Sequence, residues 1–197
     1  MQEEELDIEA LKKNEEFLGN LKDIEKEMRE ENSIAKGYQL LDAKLLLEVP
    51  EEEINEIFTF IVNTAFDILA EKLSSGGQFN MDEYEDLATA RAIYENGIQR
   101  YSENEKKAAK ELFLILYFTI KDGTLAESML IHAAVAMAGH SFDDFIDNIV
   151  DVTGVDESEP TAFFIQTYKE PIHVLLTKYA KEIKAAKAEI KALEESM

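Results

Sequence analysis

"EKKAAKELFLILYFTIKDGTLAESMLIHAAVAMAG", residues 105–139, is the stretch whose reading decides the fold. From Leu112 to Phe118 every position is apolar, so a helix here has no polar face to offer water and must be surrounded by other helices. Ser102 and Glu105 have the spacing of a capping box at its start, and Thr124 with Glu127 repeats that spacing at the start of the next helix. The second helix is rich in Ala133, Ala134, Ala136 and Ala138, whose small side chains let a neighbour come close. Lys121-Asp122-Gly123 joins the two as a tight turn. This pattern predicts a helical hairpin at the centre of an all-α bundle.

Working outward, residues 3 to about 31 read as one long amphipathic helix. Ala10, Asn14, Phe17, Leu21, Ile24 and Met28 repeat at four-three spacing, and the opposite face is nearly all Glu and Lys. Ser33 is placed to cap a second helix reaching about residue 49. Pro50 ends it and suits the first turn of a third, over residues 51 to about 73. Residues 74–80, "SSGGQFN", form a loop. Asn80 then caps a helix over residues 81 to about 101. Beyond the hairpin, residues 142 to about 152 predict a short helix and residues 153–160 an acidic linker. Residues 161–169 predict a further turn or two. From Pro171 the chain reads as one helix to its end, with Ile172, Leu176, Tyr179, Ile183, Ala186, Ile190 and Leu193 forming an a/d interaction seam. Lys178, Lys181, Lys184, Lys187 and Lys191 make this the one locally basic helix. The expectation is an all-α, single-domain bundle of about 7–9 helices. Within residues 1–197 it assigns 1–31 to an acidic N-terminal helix, 33–155 to the helical core and 160–197 to the heptad-patterned C-terminal helix.

Charge narrows the partners. The chain carries 42 Asp and Glu against 20 Lys and Arg, a net charge of −22. Such a surface repels phosphate backbones and anionic lipid headgroups, which argues against nucleic acid and membrane surfaces. No cysteine is present, which removes disulfides, thiolate metal sites and cysteine nucleophiles. The acidic opening "MQEEELDIEA" has no apolar core of a secretory signal, and the expectation is a cytoplasmic protein.

Four motifs invite a chemical reading. "AMAGHSFDDF", residues 136–145, resembles the start of a G-x-S-x-G nucleophile elbow. An elbow serine follows a strand and precedes a second glycine, whereas here a helix precedes Ser141 and position 143 is Asp143. The segment reads instead as Gly139 ending one helix and Ser141 capping the next. Glu170-x-x-His173 is half of a di-iron pattern, and neither His132 nor His140 supplies the second Glu-x-x-His. His132 and His140, with Asp143 and Asp144 close by, lack the adjacent His-Asp pair of a histidine–aspartate phosphohydrolase. His132 reads as a hydrogen-bonded core residue.

The fourth motif is Glu52-Glu53-x-x-Glu56 followed by Glu83-x-x-Asp86. It resembles the E-E-x-x-E…E-x-x-D pattern of the all-α nucleoside triphosphate pyrophosphatases of the MazG and dimeric dUTPase type. That resemblance covers about 35 residues and implies Mg²⁺ held by Glu53, Glu56, Glu83 and Asp86, with a metal-activated water attacking a triphosphate. Both clusters also sit in first helical turns, where carboxylates answer the helix dipole without a metal.

The leading expectation is a non-enzymatic acidic interaction protein: an adaptor, assembly factor or chaperone-like module. It binds partner helices or a second copy of itself through amphipathic helices and uses no cofactor. The alternatives are the Mg²⁺-dependent pyrophosphatase and a structural oligomer.

Overall fold

In a computed structural model, which describes residues 7–156 and 158–195, helix accounts for 72 % of the chain and the described residues contain no strand. The fold is all-α. Two compact units divide at Asp67 and Ile68, inside one continuous helix.

The first unit begins with α1 (Ile8–Leu11) and α2 (Glu15–Glu31). The expected single helix over residues 3–31 is therefore interrupted, and its residues 3–6 lie outside the described part. Asn14, counted in the apolar repeat, is the break. Its backbone is extended (φ −81°, ψ 105°) and its side-chain oxygen accepts the Phe17 N–H at 3.0 Å, capping α2. Asn32, in the left-handed region at φ 53°, ends α2. Ser33 caps α3 (Ile34–Leu46) by accepting the Lys36 N–H at 3.1 Å, as its position predicted. Met28, Ile34 and Leu40 are fully enclosed where α3 packs on α2, and the equally buried Ile61 lies against Gly37 of α3. Pro50 precedes α4 (Glu51–Ser75), whose first turn holds Glu51, Glu52 and Glu53.

The second unit is built around the hairpin. α5 (Tyr84–Ser102), α6 (Lys106–Thr119) and α7 (Gly123–Met137) pack side by side with α6 in the middle, and α10 (Ala180–Glu194) lies across α6 and α7. Three predicted caps are displaced. Asp122, one residue before the glycine, caps α7 by accepting the Leu125 N–H at 2.8 Å, so Thr124 falls inside the helix. Ser102 ends α5, and its hydroxyl donates to the Gln99 carbonyl. Asn80 does not start α5 because the chain before it is held elsewhere: the Phe79 N–H and carbonyl pair with the backbone of Thr119 and Lys121. Gly97 on α5 permits the close approach of α6, since a Cβ there would lie 2.9 Å from Phe113 Cε1.

α8 (Phe142–Asn148) is shorter than predicted because Val150 pairs with Tyr168 in an isolated antiparallel bridge. Residues 161–169, expected as helical turns, instead make tight turns and return to this bridge. The C-terminal helix is two: α9 (Ile172–Lys178) and α10, parted at Tyr179 (φ −102°, ψ 25°). Leu175 rather than Leu176 is buried in α9. Beyond the break Tyr179, Ile183, Ala186 and Ile190 are buried within the second unit, which fills this part of the predicted seam from inside. Ile172 and Leu176 are half-buried, and the side chain of Leu193 lies outside the described residues.

Candidate functional site

α7 carries His132 into a fully enclosed position of the second unit. The residue is 0 % exposed, and its ring meets those of Phe145 at 4.8 Å, Phe113 at 5.0 Å and Tyr94 at 5.6 Å. Its Nδ1 lies 2.6 Å from the Ser128 carbonyl, which can only accept, so Nδ1 carries the proton. Nε2 is then an acceptor for the Tyr94 hydroxyl at 3.1 Å. That hydroxyl accepts the Ile165 N–H in turn, at 3.0 Å. Burial lowers the His132 pKa to about 4, so the ring is neutral at pH 7. Burial also raises the pKa of Tyr94 and of Tyr168. The Tyr168 hydroxyl donates to the carbonyls of Ser128 and Ile165. The network ties the segment around Ile165 to α5 and α7, and each of its bonds ends within the fold.

A second polar chain lies at the joint after α7. Gly139, at φ 93°, stops the helix and Ser141 caps α8 by accepting the Asp144 N–H at 3.1 Å, the stop and start predicted for this stretch. His140 Nδ1 makes a short hydrogen bond to Asp144, and its Nε2 meets the Tyr179 hydroxyl at 3.2 Å. Asn148 Nδ2 donates to the other Asp144 oxygen at 2.6 Å. The bond to His140 is the largest influence holding the Asp144 carboxyl below its ordinary pKa. Burial raises the pKa of Tyr179, keeping its phenol protonated. The Tyr101 hydroxyl and the Lys106 ammonium donate to the carbonyls of His140 and Gly139. A carboxylate–imidazole–phenol chain orients a ring, but here the phenol is only 5 % exposed and braces the break between α9 and α10. Replacing Tyr179 by Phe is expected to cost about 0.5–1.5 kcal/mol in urea unfolding with no change in helix content. The His140–Asp144 spacing of four was visible in the sequence; Tyr179, 39 residues away, carried no local signal.

The carboxylates of the pyrophosphatase resemblance have other partners. Lys44 Nζ is 2.5 Å from Glu53. Asp86 holds Lys72 at 2.8 Å and accepts the Asn80 N–H at 2.8 Å. Glu56 and Glu83 are exposed. The first pair belongs to the first unit and the second pair to the second. Glu170 pairs with Lys178 at 2.7 Å, and His173 is exposed on α9. Among the described residues no three His, Asp or Glu side chains stand together in a group that could hold a metal ion. No helix among them is long and apolar enough to cross a membrane.

No protein-family model matches the chain, and no curated protein or solved structure matches it.

Proposed function

We propose that the protein is a non-enzymatic acidic interaction module that engages a partner protein through apolar side chains left at its surface. The observation that carries this reading is the pairing of such residues. Leu45 and Leu46, adjacent on the last turn of α3, are 54 % and 39 % exposed, and Val152 and Val155 are 65 % and 42 % exposed. Single exposed apolar residues are ordinary, but neighbouring ones on a chain of net charge −22 are the kind of surface that a partner covers. The histidines support the same reading, since His132 and His140 are committed to bonds that hold segments of the fold.

The test is affinity purification of the full chain from native lysate beside a Leu45→Glu/Leu46→Glu variant. The expected result is a stoichiometric partner with the wild type and at least a tenfold loss with the variant, since hot-spot truncations are worth about 2 kcal/mol or more. A lone monomer that releases pyrophosphate from a nucleoside triphosphate with Mg²⁺ overturns it.

A further inference from the structure

α10 carries a row of charge opposite in sign to the rest of the molecule. Lys181, Lys184, Lys187 and Lys191 are all exposed, and their spacing of three, three and four keeps them on one stripe. Among the described residues no carboxylate lies within ion-pair distance of Lys181, Lys184 or Lys187. Lys191 lies 3.8 Å from Glu195, with both side chains largely in solvent, a pair that competing carboxylates readily replace.

Beside this row is a hollow of about 410 Å³ where α10 crosses the last turn of α6. Tyr117 and Phe118 supply its accessible apolar surface above the buried Ile120 and Ile190, and Gln78, Lys187 and Lys191 give it a mainly polar lining. Tyr117 and Phe118 are half-buried although the sequence pattern predicts an enclosed α6. Glu189, on the other flank of α10, is answered by Lys110 at 2.5 Å, which leaves the hollow's own flank basic.

We propose that this hollow and lysine row are a docking site for an acidic amphipathic helix of a partner protein. Apolar side chains of the incoming helix, spaced three and four apart, rest on Phe118 and Tyr117. Carboxylates on its flank meet Lys184, Lys187 and Lys191, which fixes its orientation. The chain's own α2 is acidic but has its apolar residues Leu21 and Met28 buried in the first unit, so a second copy does not offer that helix. The inference rests on the interaction reading and names the partner's chemistry.

The net charge of −22 predicts the opposite preference, which makes the test sharp. Two fluorescent peptides of about two heptads carry Leu at the a and d positions, with Glu at the rest in one and Lys in the other. Anisotropy with the full chain is expected to show the Glu peptide binding and the Lys peptide binding more weakly. Lys187→Glu/Lys191→Glu is expected to weaken the Glu peptide about tenfold, as is raising the salt to about 0.5 M. Both lysines are exposed, so the variant keeps its helix content by circular dichroism. Tighter binding of the Lys peptide, or indifference to the charge reversal, overturns the docking site. A wild-type dimer in sedimentation that the same variant dissociates also overturns it, because a second copy then fills the hollow. A lysate partner that depends on Leu45 and Leu46 but ignores the reversed lysines overturns only this inference and leaves the interaction reading standing.

Discussion

Phe113→Ala is expected to destabilise the protein by about 3–5 kcal/mol in urea unfolding followed by helical circular dichroism. The ring is fully buried on α6 and stands between two partners, with His132 at 5.0 Å on one side and Tyr94 at 6.1 Å on another. Removal of a buried aromatic costs its transfer from water plus the cavity left behind, and the cavity term depends on whether neighbours can move in. Here they are tied. Tyr94 is anchored by bonds to His132 and to Ile165, and His132 is anchored to Ser128. Gly97 offers no side chain to fill the space, because the ring itself occupies the place its Cβ would take. Gly97→Ala alone is expected to cost about 1–3 kcal/mol by overpacking. In the double variant the two penalties should not add, since the ring that the methyl strikes is gone. A loss below about 1 kcal/mol for Phe113→Ala, or simple additivity, shows that this ring does not set the spacing of α5 and α6.

How far the sequence revealed this arrangement differs between its parts, for a physical reason. The hairpin was legible because an apolar run without a wet face has one solution, burial among helices, and because Lys121-Asp122-Gly123 marks the turn. Its cap was not, because Asp122 and Thr124 are both good caps and only the backbone decides between them. Asn14 differs for a related reason: a polar residue falls on an apolar repeat, and the repeat hides a cap. The break at Tyr179 is tertiary in origin. Leu175 and Leu176 are adjacent, so periodicity cannot choose which faces inward, and the heptad points to Leu176. The fold turns Leu175 inward and uses Tyr179 to meet His140, a bond between residues no local rule connects. The polar clusters follow the same division. That His132 is buried and bonded could be read from its alanine-rich setting, whereas Tyr94, 38 residues earlier, could not be named as its partner.

Acidification is expected to remove about 3 kcal/mol of stability through His132 alone. Its ordinary pKa is 6.5 and burial lowers the folded-state value to about 4. Between those values the unfolded chain takes up a proton that the folded chain refuses, so stability falls as the pH falls. The contribution is fully present above pH 6.5 and is lost progressively down to about pH 4. The ring cannot accept that proton without breaking the network: Nε2, its one free lone pair, receives the Tyr94 hydroxyl, and no carboxylate is among the bonded partners of the ring. A second effect runs the other way, since protonating some of the 42 acids relieves the repulsion of a chain at −22. Total stability against pH therefore mixes the two, and the comparison must be with His132→Gln, which keeps the carboxylates and deletes the titration. The variant is less stable at neutral pH because it disturbs the bonds to Ser128 and Tyr94. The wild-type advantage should then shrink by about 3 kcal/mol between pH 7.5 and pH 4. In the folded wild type, the His132 ring resonances should stay at their neutral positions down to near pH 5. A constant gap between the two proteins across that range, or a His132 resonance that already titrates above pH 5, shows that the ring reaches solvent and that the network around Tyr94 opens in solution.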